Sequence, residues 1–76
     1  LNPAILPGEV LRLKIVREGK DQDQGVGYLS DGTMVVVNKG QSRVGQTVEV
    51  EVASLLQNPT GTMVFANIKN GGGKSR

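Results

Sequence analysis

Residues 25–37 read G-V-G-Y-L-S-D-G-T-M-V-V-V, and no other stretch limits the fold of this chain as much. Two β-rich runs, 26–30 and 33–37, flank Asp31-Gly32. An Asp-Gly pair between such runs predicts a hairpin with a type I′ turn, in which both central residues need φ > 0. Glycine reaches that region without steric penalty, and aspartate tolerates it better than most residues. The rest of the chain is read around this hairpin.

Upstream, residues 9–17 alternate, with Leu11, Leu13 and Ile15 on one face and Arg12, Lys14 and, past Val16, Arg17 mostly on the other. That is a half-buried strand with a basic outer face. Downstream, residues 47–52 alternate strictly, valines 48, 50 and 52 inward against Glu49 and Glu51, and the strand has room to run on through 53–56. Asn58-Pro59-Thr60-Gly61 is a turn, and residues 62–68 make a fifth strand. Residues 18–24 and 39–46 are polar loops, the second with glycines at 40 and 45 and no apolar period that would support a helix. Five short strands predict an all-β domain, and at this size closure into a barrel is favoured because it leaves no edge free to aggregate. The expectation is a small five-stranded antiparallel barrel without a substantial helix. It occupies residues 9–68, after an extended Pro-containing linker over 1–8 and before a flexible, Gly-rich basic tail over 69–76. Because the chain opens on Leu1 rather than Met, it is expected to be a domain cut from something longer.

Much chemistry is excluded by what is missing. The 76 residues contain neither cysteine nor histidine. No disulfide framework or thiolate zinc site can hold the fold together, and the commonest general base is absent. Serines 30, 42, 54 and 75 have no partner to activate them. Asp21 and Asp23 stand in D-Q-D-Q-G, but the twelfth position of a calcium loop would be Gly32 where a bidentate glutamate is required. Gly73-Lys74-Ser75 lacks the glycine five residues upstream that a phosphate loop needs, since Ile68 stands there. Proline blocks the sequon at Asn58-Pro59-Thr60. No catalytic residue, metal ligand, cofactor or small-molecule substrate is expected. No apolar run approaches the roughly 20 residues of a membrane span, and cysteine-free composition suits a reducing cytoplasm, with any membrane tether left to a parent chain.

Charge is the remaining signal. The net charge is +2, with Arg12, Lys14 and Arg17 on the first strand and Lys20, Lys39 and Arg43 in loops, against Glu49 and Glu51 on the fourth strand. If the barrel separates these faces, one side suits a phosphate backbone; otherwise the charges pair on an ordinary solvated surface. Aromatics are limited to Tyr28 and Phe65, too few for an extensive stacking platform. Tyr28 is either a core residue with its hydroxyl at the rim, the favoured reading, or an exposed stacking surface beside the glycines; Phe65 is read as core.

The hairpin 25–37, followed by Gly45-Gln46-Thr47-Val48-Glu49-Val50 and Met63-Val64-Phe65-Ala66, resembles a TRAM domain over about residues 8–68. It is most similar to the C-terminal TRAM domain of bacterial PIN–TRAM proteins. The resemblance implies a small five-stranded barrel similar to oligonucleotide-binding (OB) folds that binds RNA, joined in cis to a nuclease-like PIN domain or to a tRNA-modifying enzyme. The candidate RNA-binding residues come from charge and placement: Arg12, Lys14, Arg17, Lys39 and Arg43 for phosphates and Tyr28 as the one stacker. Gly25 and Gly27 would let the backbone turn and keep the surface open for close approach. The alternative is a structural or protein-interaction module that packs on its parent domain or another subunit.

Overall fold

The computed structural model describes residues 5–21 and 23–69. Its strands are β1 (Val10–Glu18), β2 (Gln24–Tyr28), β3 (Met34–Asn38), β4 (Thr47–Asn58) and β5 (Gly61–Ile68), with a single 3-10 turn over Gln41–Arg43. They close into a barrel in the order β1-β2-β3-β5-β4, with β4 pairing back onto β1. The all-β, five-stranded, OB-like expectation holds, with one correction: β3 and β5 run parallel. Neighbours in a closed ring can alternate in direction throughout only if the ring has an even number of strands. Five strands force a parallel pair, so the sheet is mixed rather than antiparallel throughout.

The core follows the alternation in the sequence. Leu13, Ile15, Val35, Val37, Val50, Val52, Val64 and Ala66 are buried together inside the ring, with Leu11, Val48, Leu55 and Ile68 packed against them. Two irregularities let single strands turn from one partner to another. In β1 the register shifts between Ile15 and Arg17, so Val16 is left exposed while Arg17 comes opposite Val26. In β4 the shift lies between Val52 and Ser54. Beyond it the inward parity changes, so Leu55 rather than Ser54 packs on the core.

The hairpin forms, but its turn is not type I′. Leu29 N donates to Thr33 O at 2.9 Å and Gly32 N to Leu29 O at 2.8 Å, which encloses a three-residue loop of Ser30, Asp31 and Gly32. Only Gly32 of the three has positive φ, at 91°. A tight turn followed by one left-handed glycine is the standard three-residue alternative, and it moves the paired strands back to Gln24–Tyr28 and Met34–Asn38.

The glycines of β2 also serve a different purpose from the one expected. Gly25 and Gly27 are buried. A Cβ on Gly27 would strike the Leu13 side chain and lie 2.5 Å from Lys14 O, and one on Gly25 would lie 2.6 Å from Ile15 Cγ2. The close approach they permit is by β1 and, at Gly25, also by the Gly40 backbone, and not by a ligand outside the barrel.

Ahead of β1, Ile5 packs against the core, and Gly8 N donates to Val52 O at 2.8 Å. Of the expected tail only Lys69 lies within the described residues, its N donating to Glu49 O at 2.9 Å.

Candidate nucleic-acid interface

The runs Met34-Val35-Val36-Val37 and Met63-Val64-Phe65-Ala66 do not alternate with polar residues, so both faces of β3 and β5 are apolar. One face fills the barrel. The other forms an outer surface across β2, β3, β5 and the end of β4, and pairing arranges it in rows. Tyr28 stands opposite Met34, Met34 beside Met63, and Met63 opposite Leu56. The next row runs Arg17, Val26, Val36, Phe65 and Ser54. A third runs Gln24, Asn38, Asn67 and Glu51.

The middle row explains a buried pair outside the core. Val26 and Val36 retain only 1% and 7% of their exposure yet belong to the outer surface, side by side with the partly exposed Phe65. The expectation that Phe65 fills the core is therefore corrected: its neighbours inward in β5, Val64 and Ala66, take that role. Tyr28 is likewise neither core nor rim. It is 45% exposed on the same surface, and Arg17 Nη2 donates to its hydroxyl at 2.9 Å. The tyrosine hydroxyl is thus held by a cation while the side chain stays half exposed.

The six sequence candidates fall into separate groups. Arg17 and Tyr28 form the bonded pair just described. Lys14 lies one step along β1 from Ile15, and Tyr28 one step along β2 from Gly27, the residue that Ile15 faces; this sets Lys14 at the same edge. Lys39 and Arg43 line a shallow cleft of about 340 Å³ with Asn38, Ser42, Asn67 and Ile68, at the other end of the surface. Lys39 holds a left-handed φ of 64°, where Gly40 N donates back to Val37 O at 3.2 Å. The loop behind it is pinned: Arg43 N donates to Gly40 O at 2.9 Å, and Gly45 N to Ile15 O at 2.7 Å. Arg12 stands apart, directly opposite Glu49 in the β1–β4 register. The barrel does not separate the basic strand from the acidic one at that seam; it sets them side by side. An exposed pair of this kind contributes little to stability but offsets the local positive potential.

Sequence reasoning missed the amide row. Gln24 Nε2 donates to Asn38 Oδ1 at 3.5 Å and Asn38 Nδ2 to Asn67 Oδ1 at 2.8 Å, which links three strands on the exposed side. These amides are far apart in the sequence, and only the register aligns them. Among the described residues no three acidic side chains gather to hold a metal ion, and no helix is long and apolar enough to cross a membrane.

The chain is similar to longer proteins. It is 53% identical over 66 residues to the uncharacterized PIN and TRAM-domain containing protein slr1972 of Synechocystis, an alignment covering 87% of this chain and 18% of that protein. It is 44% identical over 69 residues to the PIN and TRAM-domain containing protein YacL of Bacillus subtilis, covering 91% of this chain and 19% of that one. It is also 50% identical over 66 residues to the uncharacterized protein ycf81 of Mesostigma viride, covering 86% and 17%. The chain thus spans about a fifth of the length of these relatives. No solved structure matches it. The TRAM domain profile matches residues 6–59, from the turn that leads into β1 to the residue after β4. By that match and these relatives the chain belongs to the TRAM domain family, whose domains are generally nucleic-acid-binding rather than catalytic.

Proposed function

We propose that this domain is an accessory RNA-binding module, which holds tRNA or another structured or single-stranded RNA mainly by its phosphates and delivers it to a PIN-type nuclease domain in the same chain. The observation that carries this reading is the exposed Tyr28 ring, steadied by Arg17 on an open apolar surface. Apolar rings accessible on one face stack unpaired bases, which is worth about 1–3 kcal/mol per base and tolerates any sequence. Lys14 and Arg17 flank this ring, and Lys39 and Arg43 sit at the far end of the same surface, so phosphates on both sides of a stacked base meet a cation. Arg12, opposite Glu49, contributes least.

A PIN domain in the same chain is supported by the relatives of Synechocystis and Bacillus subtilis, which are PIN and TRAM-domain containing proteins. The Pro-containing stretch over 1–8 would join the two domains, and a cytoplasmic setting suits the cysteine-free composition.

Titration with single-stranded RNA and with tRNA at several salt concentrations tests the proposal. Affinity is expected to fall steeply with salt, each phosphate contact contributing about −0.7 to the slope of log K against log salt for a single strand. Lys14→Glu and Arg43→Glu should each weaken binding and flatten that slope. If neither RNA binds at low salt, the domain is instead a protein-interaction module packing on its parent chain.

A further inference from the structure

Phosphate contacts and stacking hold a strand without reading its sequence. Resting on the RNA-binding reading above, we infer that the row Gln24–Asn38–Asn67, closed by Glu51, reads the edge of one unpaired base and prefers a base that carries an exocyclic amino group.

Each element of this assignment has its own support. An amide presents a donor and an acceptor side by side, the combination that matches a base edge. Asn38 and Asn67 are exposed but already joined at 2.8 Å, with Gln24 reaching Asn38 at 3.5 Å, so much of the side-chain ordering that recognition requires is present before any ligand arrives. Each amide keeps a second N–H and a second lone pair for that ligand. The row opens on the cleft lined by Lys39, Ser42 and Arg43, in which no carboxylate takes part, so the charge of a phosphate is met beside the amides. At the β4 end of the row, next to Asn67, Glu51 faces that residue in register. A carboxylate there repels phosphate and accepts hydrogen bonds but donates none. It therefore fixes which way the nucleotide lies, backbone toward Lys39 and Arg43 and base toward Glu51. It also favours the 4-amino group of cytosine over the 4-oxo group of uracil, as carboxylates favour that amino group in other base contacts.

Cytosine and uracil match in size and differ little in stacking, so octacytidylate and octauridylate RNA isolate the edge chemistry. Octacytidylate is expected to bind at least about fivefold more tightly than octauridylate. The paired change Asn38→Ala with Asn67→Ala should bring the ratio toward one and leave the salt slope unchanged, and separately Glu51→Gln should bring the ratio toward one. Lys39→Gln should do the reverse, flattening the slope and keeping the ratio. All these side chains are exposed, and a thermal melt of each variant checks that the barrel is intact. Equal affinity of the parent chain for the two oligomers, or a ratio that survives both amide changes, overturns the assignment while leaving salt-dependent RNA binding standing. Absence of salt-dependent binding to either oligomer and to tRNA removes both.

Discussion

A methyl group added at Gly27 would meet the Leu13 side chain and a Lys14 carbonyl oxygen at 2.5 Å. The oxygen belongs to the backbone, so it cannot swing aside as a side chain could. Glycine-to-alanine replacement ordinarily stabilises by about 0.4–1 kcal/mol through the unfolded chain, but overpacking costs about 1–3 kcal/mol. Gly27→Ala is therefore expected to destabilise the barrel by roughly 1–2 kcal/mol, which urea unfolding will read as a lower midpoint; an unchanged midpoint would mean that β1 can retreat. At this scale the sequence was only partly legible. The inward residues of β1 and β4 follow from alternation. Tyr28 and Phe65 do not, because aromatic character says nothing about which face of an apolar strand lies inside. The parity shared by Tyr28 and Val26 was visible, but the burial of Val26 on the outer surface depends on Val36 and Phe65 beside it, contacts that no local pattern contains.

Among the elements, the β2–β3 loop shows how one side chain holds a turn. The Asp31 carboxylate accepts from Thr33 N at 2.9 Å. That backbone bond, and then a bond from the Thr33 hydroxyl, hold its pKa below the ordinary value of 3.8. A carboxyl whose pKa is depressed by folding stabilises the folded state above its unfolded pKa, and that contribution fades as the pH falls through the folded value. The turn should therefore loosen only under acid conditions, below about pH 3.8. An NMR titration should find the Asp31 midpoint below that of a model peptide, and Asp31→Asn should remove this contribution to the acid dependence of stability. An unshifted midpoint would contradict the bond. The hairpin itself was legible from Asp-Gly, whereas the turn type was not. Asp-Gly also satisfies a three-residue loop in which glycine alone is left-handed, and the choice is made by how Leu29 and Thr33 pair.

For the whole molecule, closure is the decisive property. Alternating strands and the lack of a helical period made an all-β barrel legible, and the count of five carried the parallel pairing within it, since an odd ring cannot alternate. The seam was beyond reach, because nothing local says that β1 will lie against β4. That seam sets Arg12 beside Glu49 and so places one cation of β1 against an acidic neighbour. If the ring is closed in solution, the amides that bridge β1 and β4 should exchange with solvent as slowly as those of β3; fast exchange confined to the seam would describe an open sheet. The fold also has a spectroscopic consequence. The chain has one tyrosine and no tryptophan, so its intrinsic ultraviolet emission comes almost wholly from the ring that Arg17 holds on the outer surface. The molecule carries its own reporter, placed on the face whose occupancy is in question and blind to most of the rest.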